Sequence, residues 1–209
     1  MKMKSITTWL YAAAFVILLS SCSKNNDDNS GDGNQNPALI GDWNFSGMTL
    51  LAETTLEATD GVDTEKLRTW YGYHSKNNTG TVKIDATQFT MTGVGYSVDT
   101  TIHNDYYLNG TLVDATEDPF QAILAPYNGT VPYKAIGADS VFFEKGFLTV
   151  DPTISGGSPL ATQAVGSRIS WSNDTLLLKT SYLVKSVDNS NGYPINMQTT
   201  LSQVVKLKK

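Results

Sequence analysis

Along much of the chain, apolar and polar side chains alternate with a period of two. Tyr96, Val98, Thr100 and Ile102 are interleaved with Ser97, Asp99, Thr101 and His103, and Leu176, Leu178, Thr180, Tyr182 and Val184 form a second such series. Successive side chains of a strand point to opposite faces, so this pattern predicts strands with one face on a core and the other in water. A closing strand near residues 197–207 carries Leu201, Val205 and Leu207 on one face. Val82 with Ile84, and Phe89 with Met91, flank a turn at Asp85, Ala86 and Thr87, and Asn109-Gly110 has the composition of a tight hairpin turn. Phe142 and Phe143, a turn over residues 144–146 and an apolar run over 147–150 predict a further hairpin. Two short stretches have helical spacing instead. Asp63 or Thr64 suits the cap of a helix in which Leu67, Trp70 and Tyr71 fall at i, i+3 and i+4. Asp118-Pro119 suits the start of a helix leading into residues 120–124. The pattern as a whole predicts an all-β domain over residues 38–209. It is an antiparallel meander of about eight to ten strands, spaced as in a barrel or sandwich, with one or two short helices.

Residues 1–37 follow a different pattern. A basic start, with Lys2 and Lys4, precedes eleven apolar residues at positions 9–19. A bilayer span needs ~20, so this run suits a signal-peptide core. It ends in Leu19-Ser20-Ser21-Cys22, which resembles the bacterial lipobox. The resemblance implies that residues 1–21 are a lipoprotein signal peptide, cut before Cys22, and that the Cys22 thiol carries lipid. Several acyl chains, at ~0.8 kcal/mol per buried CH₂, make such an anchor effectively permanent. Cys22 is the chain's single cysteine, which excludes an intramolecular disulfide. Residues 23–36 have no apolar side chain and cannot pack, so residues 22–37 read as a lipidated cysteine and a disordered polar tether. Asp28, Ser30, Asp32 and Gly33 only loosely suggest a calcium loop, because Leu39 stands where the bidentate Glu belongs. The segment from Ser23 to Asp28 is similar to acidic tethers of surface-exposed lipoproteins of the Bacteroidota. That similarity implies an outer-membrane lipoprotein of the bacterial cell envelope, exposed at the surface; a plain spacer is the alternative.

The folded part opens with Leu39-Ile40-Gly41-Asp42-Trp43-Asn44-Phe45. This resembles the Gly-x-Trp first strand of lipocalin-like domains, with Gly41 and Trp43 at the motif positions. The strand–turn–strand from Ile169 to Leu178 and the closing strand from Leu201 to Leu207 are similar to those of Bacteroidota lipocalin-like lipoproteins. The resemblance implies an up-and-down lipocalin-like β-barrel in which Trp43 plugs one end and Gly41 gives the chain room beneath it. Two features depart from that pattern. Residues 53–80 are longer than a barrel hairpin needs, and no arginine is identifiable as the partner that stacks on Trp43. A β-sandwich is the alternative fold.

The formal net charge is −5, and loss of Lys2 and Lys4 with the leader makes it more negative. An acidic chain repels phosphate backbones, so nucleic acid is not an expected partner. His74 and His103 lie apart, without the H-E-x-x-H spacing of a metal site, and no G-x-S-x-G elbow occurs. His103 falls on the polar face of its strand, and His74 on the face of the predicted helix. Ser155 to Pro159 lacks the lysine of a phosphate loop, and Glu117 and Asp118 read as turn and capping residues. No catalytic residue, metal ligand or cofactor is assigned. The aromatics Tyr96, Tyr106, Phe142 and Trp171, with Tyr107, Tyr127, Tyr133 and Phe143 near them in the pattern, are candidates to line a cavity for a small hydrophobic or glycan ligand; core filling is the competing role. Asp99-Thr100-Thr101, Asp139-Ser140-Val141 and Asp174-Thr175-Leu176 resemble sites where Bacteroidota attach O-glycans. The expected function is a non-catalytic, membrane-anchored envelope lipoprotein that binds such a ligand. The alternatives are a structural or adhesive module with a solid core and, third, a hydrolase without a recognisable motif.

Overall fold

The structure is a computed structural model that describes residues 36–145, 164–189 and 193–209. These lie in one compact unit, Asp32–Lys209. The leader, Cys22, the apolar run 147–150 and the Ser155 loop lie outside the described residues.

Every regular element among the described residues is a strand: β1 (Gly41–Thr59), β2 (Thr64–His74), β3 (Lys76–Ile84), β4 (Gln88–Leu108), β5 (Thr111–Pro132), β6 (Lys134–Ala135), β7 (Ser140–Phe143), β8 (Val165–Ser172), β9 (Thr175–Asp188) and β10 (Ile195–Lys208). Only Ser75 separates β2 from β3, and only Tyr133 separates β5 from β6. Each pair therefore continues one pass of the chain. β1 pairs with β2 and β3, β4 pairs with β2, β3 and β5, and β6 to β10 follow in sequence order. The last strand returns to the first, from Asn44 opposite Lys208 to Ala58 opposite Ile195. Because every pass neighbours the next and β10 closes on β1, the architecture is an antiparallel up-and-down β-barrel. A sandwich with crossovers does not arise.

Both predicted helices are strands. Residues 64–74 are held on one side by β1, from Thr64 opposite Thr59 to His74 opposite Thr49, and on the other by β4. Helical spacing in so short a run is weak, and the Thr, Trp and Tyr content favours a pleated surface flanked by partners. Residues 118–124 lie inside β5. Pro119, opposite Thr101, is tolerated there because over this stretch β5 pairs only with β4 and needs no donor on its free side. The predicted hairpins at 85–87 and 109–110 are present. Asp85 Oδ1 accepts from the Thr87 and Gln88 amides, and Asn109 and Gly110 both have positive φ, as a type I′ turn requires.

The core gathers at one end of the barrel. Trp43, Leu50, Phe89, Phe143 and Leu176 are at most 1% exposed. Phe89 meets Tyr133 and Phe143 edge-on at 4.9 and 5.2 Å, joining the β4, β6 and β7 side of the wall. Trp43 is buried at this end. Its indole donates to the Leu39 carbonyl at 3.0 Å, and its ring packs 5.7 Å from Trp171. The cation over it is Lys209, with Nζ 4.9 Å from the ring. A Cβ on Gly41 would sit 3.9 Å from the Trp43 indole nitrogen, ordinary contact, so space is not the constraint expected there. The constraint is φ of +147°, which side-chain-bearing residues rarely adopt.

Candidate functional site: a groove on the outer face

The strands are unequal. β7 has 4 residues and β8 has 8, whereas β1, β4 and β5 have 19 to 22. Beyond the packed end the longer strands continue as one sheet in the order β9, β10, β1, β2, β4, β5. This is the reason for the surplus length of residues 53–80.

Pairing and the two-residue period fix which side chains share the face opposite the core. One row crosses five strands at Leu183, Thr200, Glu53, Trp70 and His103, and ends on β5 at Glu117. The adjacent row runs through Ser181, Ser202, Leu51 and Gly72. Over these rows lies a cavity of about 880 Å³, lined by Leu51, Glu53, Trp70, Gly72, His74 and His103 with Thr49, Thr101, Ser181, Thr200 and Ser202 around them. Its other lining residues, Ala52, Tyr71, Tyr73, Thr100, Tyr182 and Leu201, each neighbour one of these along a strand. The cavity is therefore a groove on the outside of the sheet. Small side chains keep it open. A methyl on Gly72 would come within 2.5 Å of Leu51 Cδ2, because Leu51 lies across that glycine.

Polar groups along the groove are cross-linked. Arg68 donates to Glu53 at 2.7 Å and lies 3.6 Å from Asp105. The Trp70 indole donates to the same Asp105 at 3.4 Å. Trp70 stacks flat on His103, with centroids 3.8 Å apart and planes 4° from parallel, and His103 Nδ1 is 3.3 Å from Glu117. The hydrogen bond from Arg68 holds the Glu53 carboxyl below its ordinary range, and the same bond raises Arg68. His74 Nδ1 shares a hydrogen bond with Thr49 at 2.9 Å. Glu117 and Asp118 are strand residues on opposite faces, not turn residues; Asp118 accepts from Asn104 at 3.2 Å. Among the described residues no group of three or more His, Cys, Asp or Glu could hold a metal ion.

The four aromatics expected to line a cavity lie in four places, and none lines this groove. Tyr96 is 3% exposed in the core, 6.0 Å from Phe45. Burial raises Tyr73, next to it, and pushes Tyr127 up to about 12. Tyr106 sits toward the far end of the sheet, opposite Leu67 and Asp114. Phe142 is half-buried on β7, opposite Gly166. Trp171 packs on Trp43. Thr100, in a candidate O-glycan site, is half-buried and donates to the Gly72 carbonyl at 2.6 Å. The groove residues Leu51, Trp70 and Gly72 escaped the sequence reading because helical spacing placed Trp70 beside Leu67 and Tyr71. Read with period two, Lys66, Arg68 and Trp70 alternate with Leu67, Thr69 and Tyr71, and an outward tryptophan becomes visible.

Comparison of the chain with protein-family models, with curated proteins and with solved structures found no match, so the groove's own chemistry carries the functional reading.

Proposed function

We propose that the protein is a non-catalytic lipoprotein of the bacterial cell envelope, related to lipocalin-like domains, that binds carbohydrate in the outer groove. The observation that carries this is Trp70, an aromatic ring set among hydroxyl and carboxylate side chains on the outside of a filled barrel. Trp70 stacks on His103, and the Arg68 guanidinium lies 5.7 Å from its ring centroid. The uncovered part of the indole, with Leu51, therefore supplies the apolar contact for a sugar ring, and the flanking hydroxyl and carboxylate groups match its hydroxyls. Trp43, Leu50, Phe89 and Phe143 fill the packed end, which favours an external polar ligand over a small hydrophobic one held inside it. The same filled core supports the second reading, a structural or adhesive surface module. Glycan-array binding of the wild-type protein and of Trp70→Ala separates the two. At least a tenfold loss in the variant is expected, ~1.4 kcal/mol, and a wild type that binds no glycan overturns the carbohydrate reading.

The anchor rests on Leu19-Ser20-Ser21-Cys22. The described fold begins at Asn36, which donates to the Ala138 carbonyl near the Trp43 end, while β1 and β4 run away from that end. Cys22→Ala should leave an uncut precursor or a soluble form in membrane fractionation. A variant that still carries the lipid's mass overturns the anchor.

A further inference from the structure

A second groove, of about 560 Å³, lies over the same face of the sheet and is lined by Lys76, Asn77, Ser97, Asp99, Gln121 and Ile123, among others. It begins where the first one stops. Along β4 the outward residue after Thr101 is Asp99, and along the chain Lys76 lies two residues beyond His74. Ser97 opposes Ile123, and Asp99 opposes Gln121, so this groove reaches the edge strand β5. Together the two cross six strands, from Ser181 on β9 to Gln121 on β5. At ~4.8 Å per strand spacing, roughly 24 Å separates the ends, far longer than one sugar ring.

Carboxylates outnumber fixed cations along this path, which disfavours an anionic ligand. Glu53 and Asp105 share Arg68 at 2.7 and 3.6 Å, Asp99 meets Lys76 at 2.9 Å, and Glu117 lies 3.3 Å from His103. The remaining groups are mainly hydroxyls and amides, with the 60% exposed Leu51 and the 81% exposed Ile123 as apolar platforms. Along the path β10 and β1 are paired on both sides, whereas residues 71–75 and 98–102 are not paired with each other, and the Gly72 carbonyl accepts from the Thr100 hydroxyl instead. A ligand lying across the strands crosses the main-chain rows, and an extended peptide needs to run along one for strand addition. A chain of hydroxyl-bearing rings needs no such row.

Resting on the carbohydrate reading above, we infer that the two grooves form one track for a neutral oligosaccharide chain that lies across the strands. The track bears on ligand length and charge, which the carbohydrate reading leaves open. The experiment is calorimetric titration of the full-length protein with neutral gluco-, manno- and xylo-oligosaccharides, as disaccharides and hexasaccharides, and with an anionic galacturonic acid hexamer. Two obstructing variants, Ile123→Trp and Gln121→Trp, stand in the second groove, at the exposed β5 end of the track and outside the groove around Trp70. Thermal unfolding close to wild type shows that each is folded. At least one neutral hexasaccharide should bind about tenfold or more tightly than its disaccharide, ~1.4 kcal/mol. Each end variant should weaken the hexasaccharide and leave the disaccharide unchanged. Equal affinity for both lengths, or end variants without effect on the hexasaccharide, overturns the track and leaves the carbohydrate reading standing. Tighter binding of the galacturonic acid hexamer than of every neutral one overturns the assignment of a neutral ligand. No binding of any oligosaccharide overturns the carbohydrate reading and the track together.

Discussion

The two halves of β1 behave differently although they are one strand. From Trp43 to Leu50 its core-facing residues are all buried; from Leu51 to Thr59 no residue is buried, and five in a row are intermediate. The first half lies in the closed wall, where opposite strands supply the covering surface. The second lies in a sheet of longer strands that extends past β7 and β8, which have 4 and 8 residues among the described residues. Burial of large apolar groups concentrates stability in the first half. In the second, paired charges, hydroxyls and one stacked tryptophan hold neighbouring strands together and leave an open groove. One end of the barrel makes the fold, and the other presents a surface.

That contrast breaks first if Trp43→Ala is mild. Truncating a buried aromatic typically costs ~3–5 kcal/mol, a large share of a domain's usual ~5–15 kcal/mol. Trp43 is 1% exposed and satisfied by Leu39, so its loss should move the denaturant midpoint sharply. A change within ~0.5 kcal/mol, as at ordinary surface sites, would mean that the packed end does not dominate stability.

Gly80→Ala should come next. Gly80 has φ of +94°, and a Cβ there would lie 2.4 Å from the Gly93 carbonyl oxygen, where β3 and β4 shift register. Strained backbone of this kind costs about 1–3 kcal/mol, and backbone has to move as well. Chemical denaturation of the variant measures the loss.

Alkaline pH probes the same half. Tyr73 and Tyr127 are raised by burial, Tyr127 from 10.0 to about 12. A raised folded-state pKa gives stability that is complete below the unfolded value and lost as pH climbs through the folded one. Stability should therefore fall between pH 10 and 12, with the buried tyrosines ionising together with unfolding in ultraviolet titration. Ionisation of every tyrosine near pH 10 with the fold intact would contradict this.

Smaller effects belong to the open sheet. Trp70→Ala loses a stacked pair worth ~0.5–1.5 kcal/mol, so its unfolding midpoint should move far less than that of Trp43→Ala while its glycan binding falls at least tenfold. Arg68→Ala should cost least, about 0.5 kcal/mol, because Arg68 and Glu53 are 37% and 41% exposed and water screens the pair. Glu53 and Asp99 are held low by their partners' hydrogen bonds, so their contribution is present above the ordinary values of 4.5 and 3.8 and lost as pH falls below them. A shallow loss of stability below about pH 4, reduced by added salt, is the expected acid profile.

The sequence by itself determined the all-β class, the hairpins at 85–87 and 109–110, and the buried sets around Val82, Phe89, Leu178 and Leu207. Alternation is local: a strand with one wet face must repeat every two residues, whatever it pairs with. Trp43 stood out for a different reason, the resemblance of residues 39–45 to the Gly-x-Trp first strand. Residues 64–74 and 118–124 were not legible. Over seven or eight residues a half-covered strand with aromatics on both faces can mimic helical spacing, and only partners distant in sequence decide between them. The lysine over Trp43 comes from position 209, which no local pattern ties to position 43. The groove is further still from any linear signal. It exists because Glu53, Trp70, His103 and Thr200 meet across four strands. Register and strand length are set by the closing of β10 on β1, a property of the whole barrel and of no single segment.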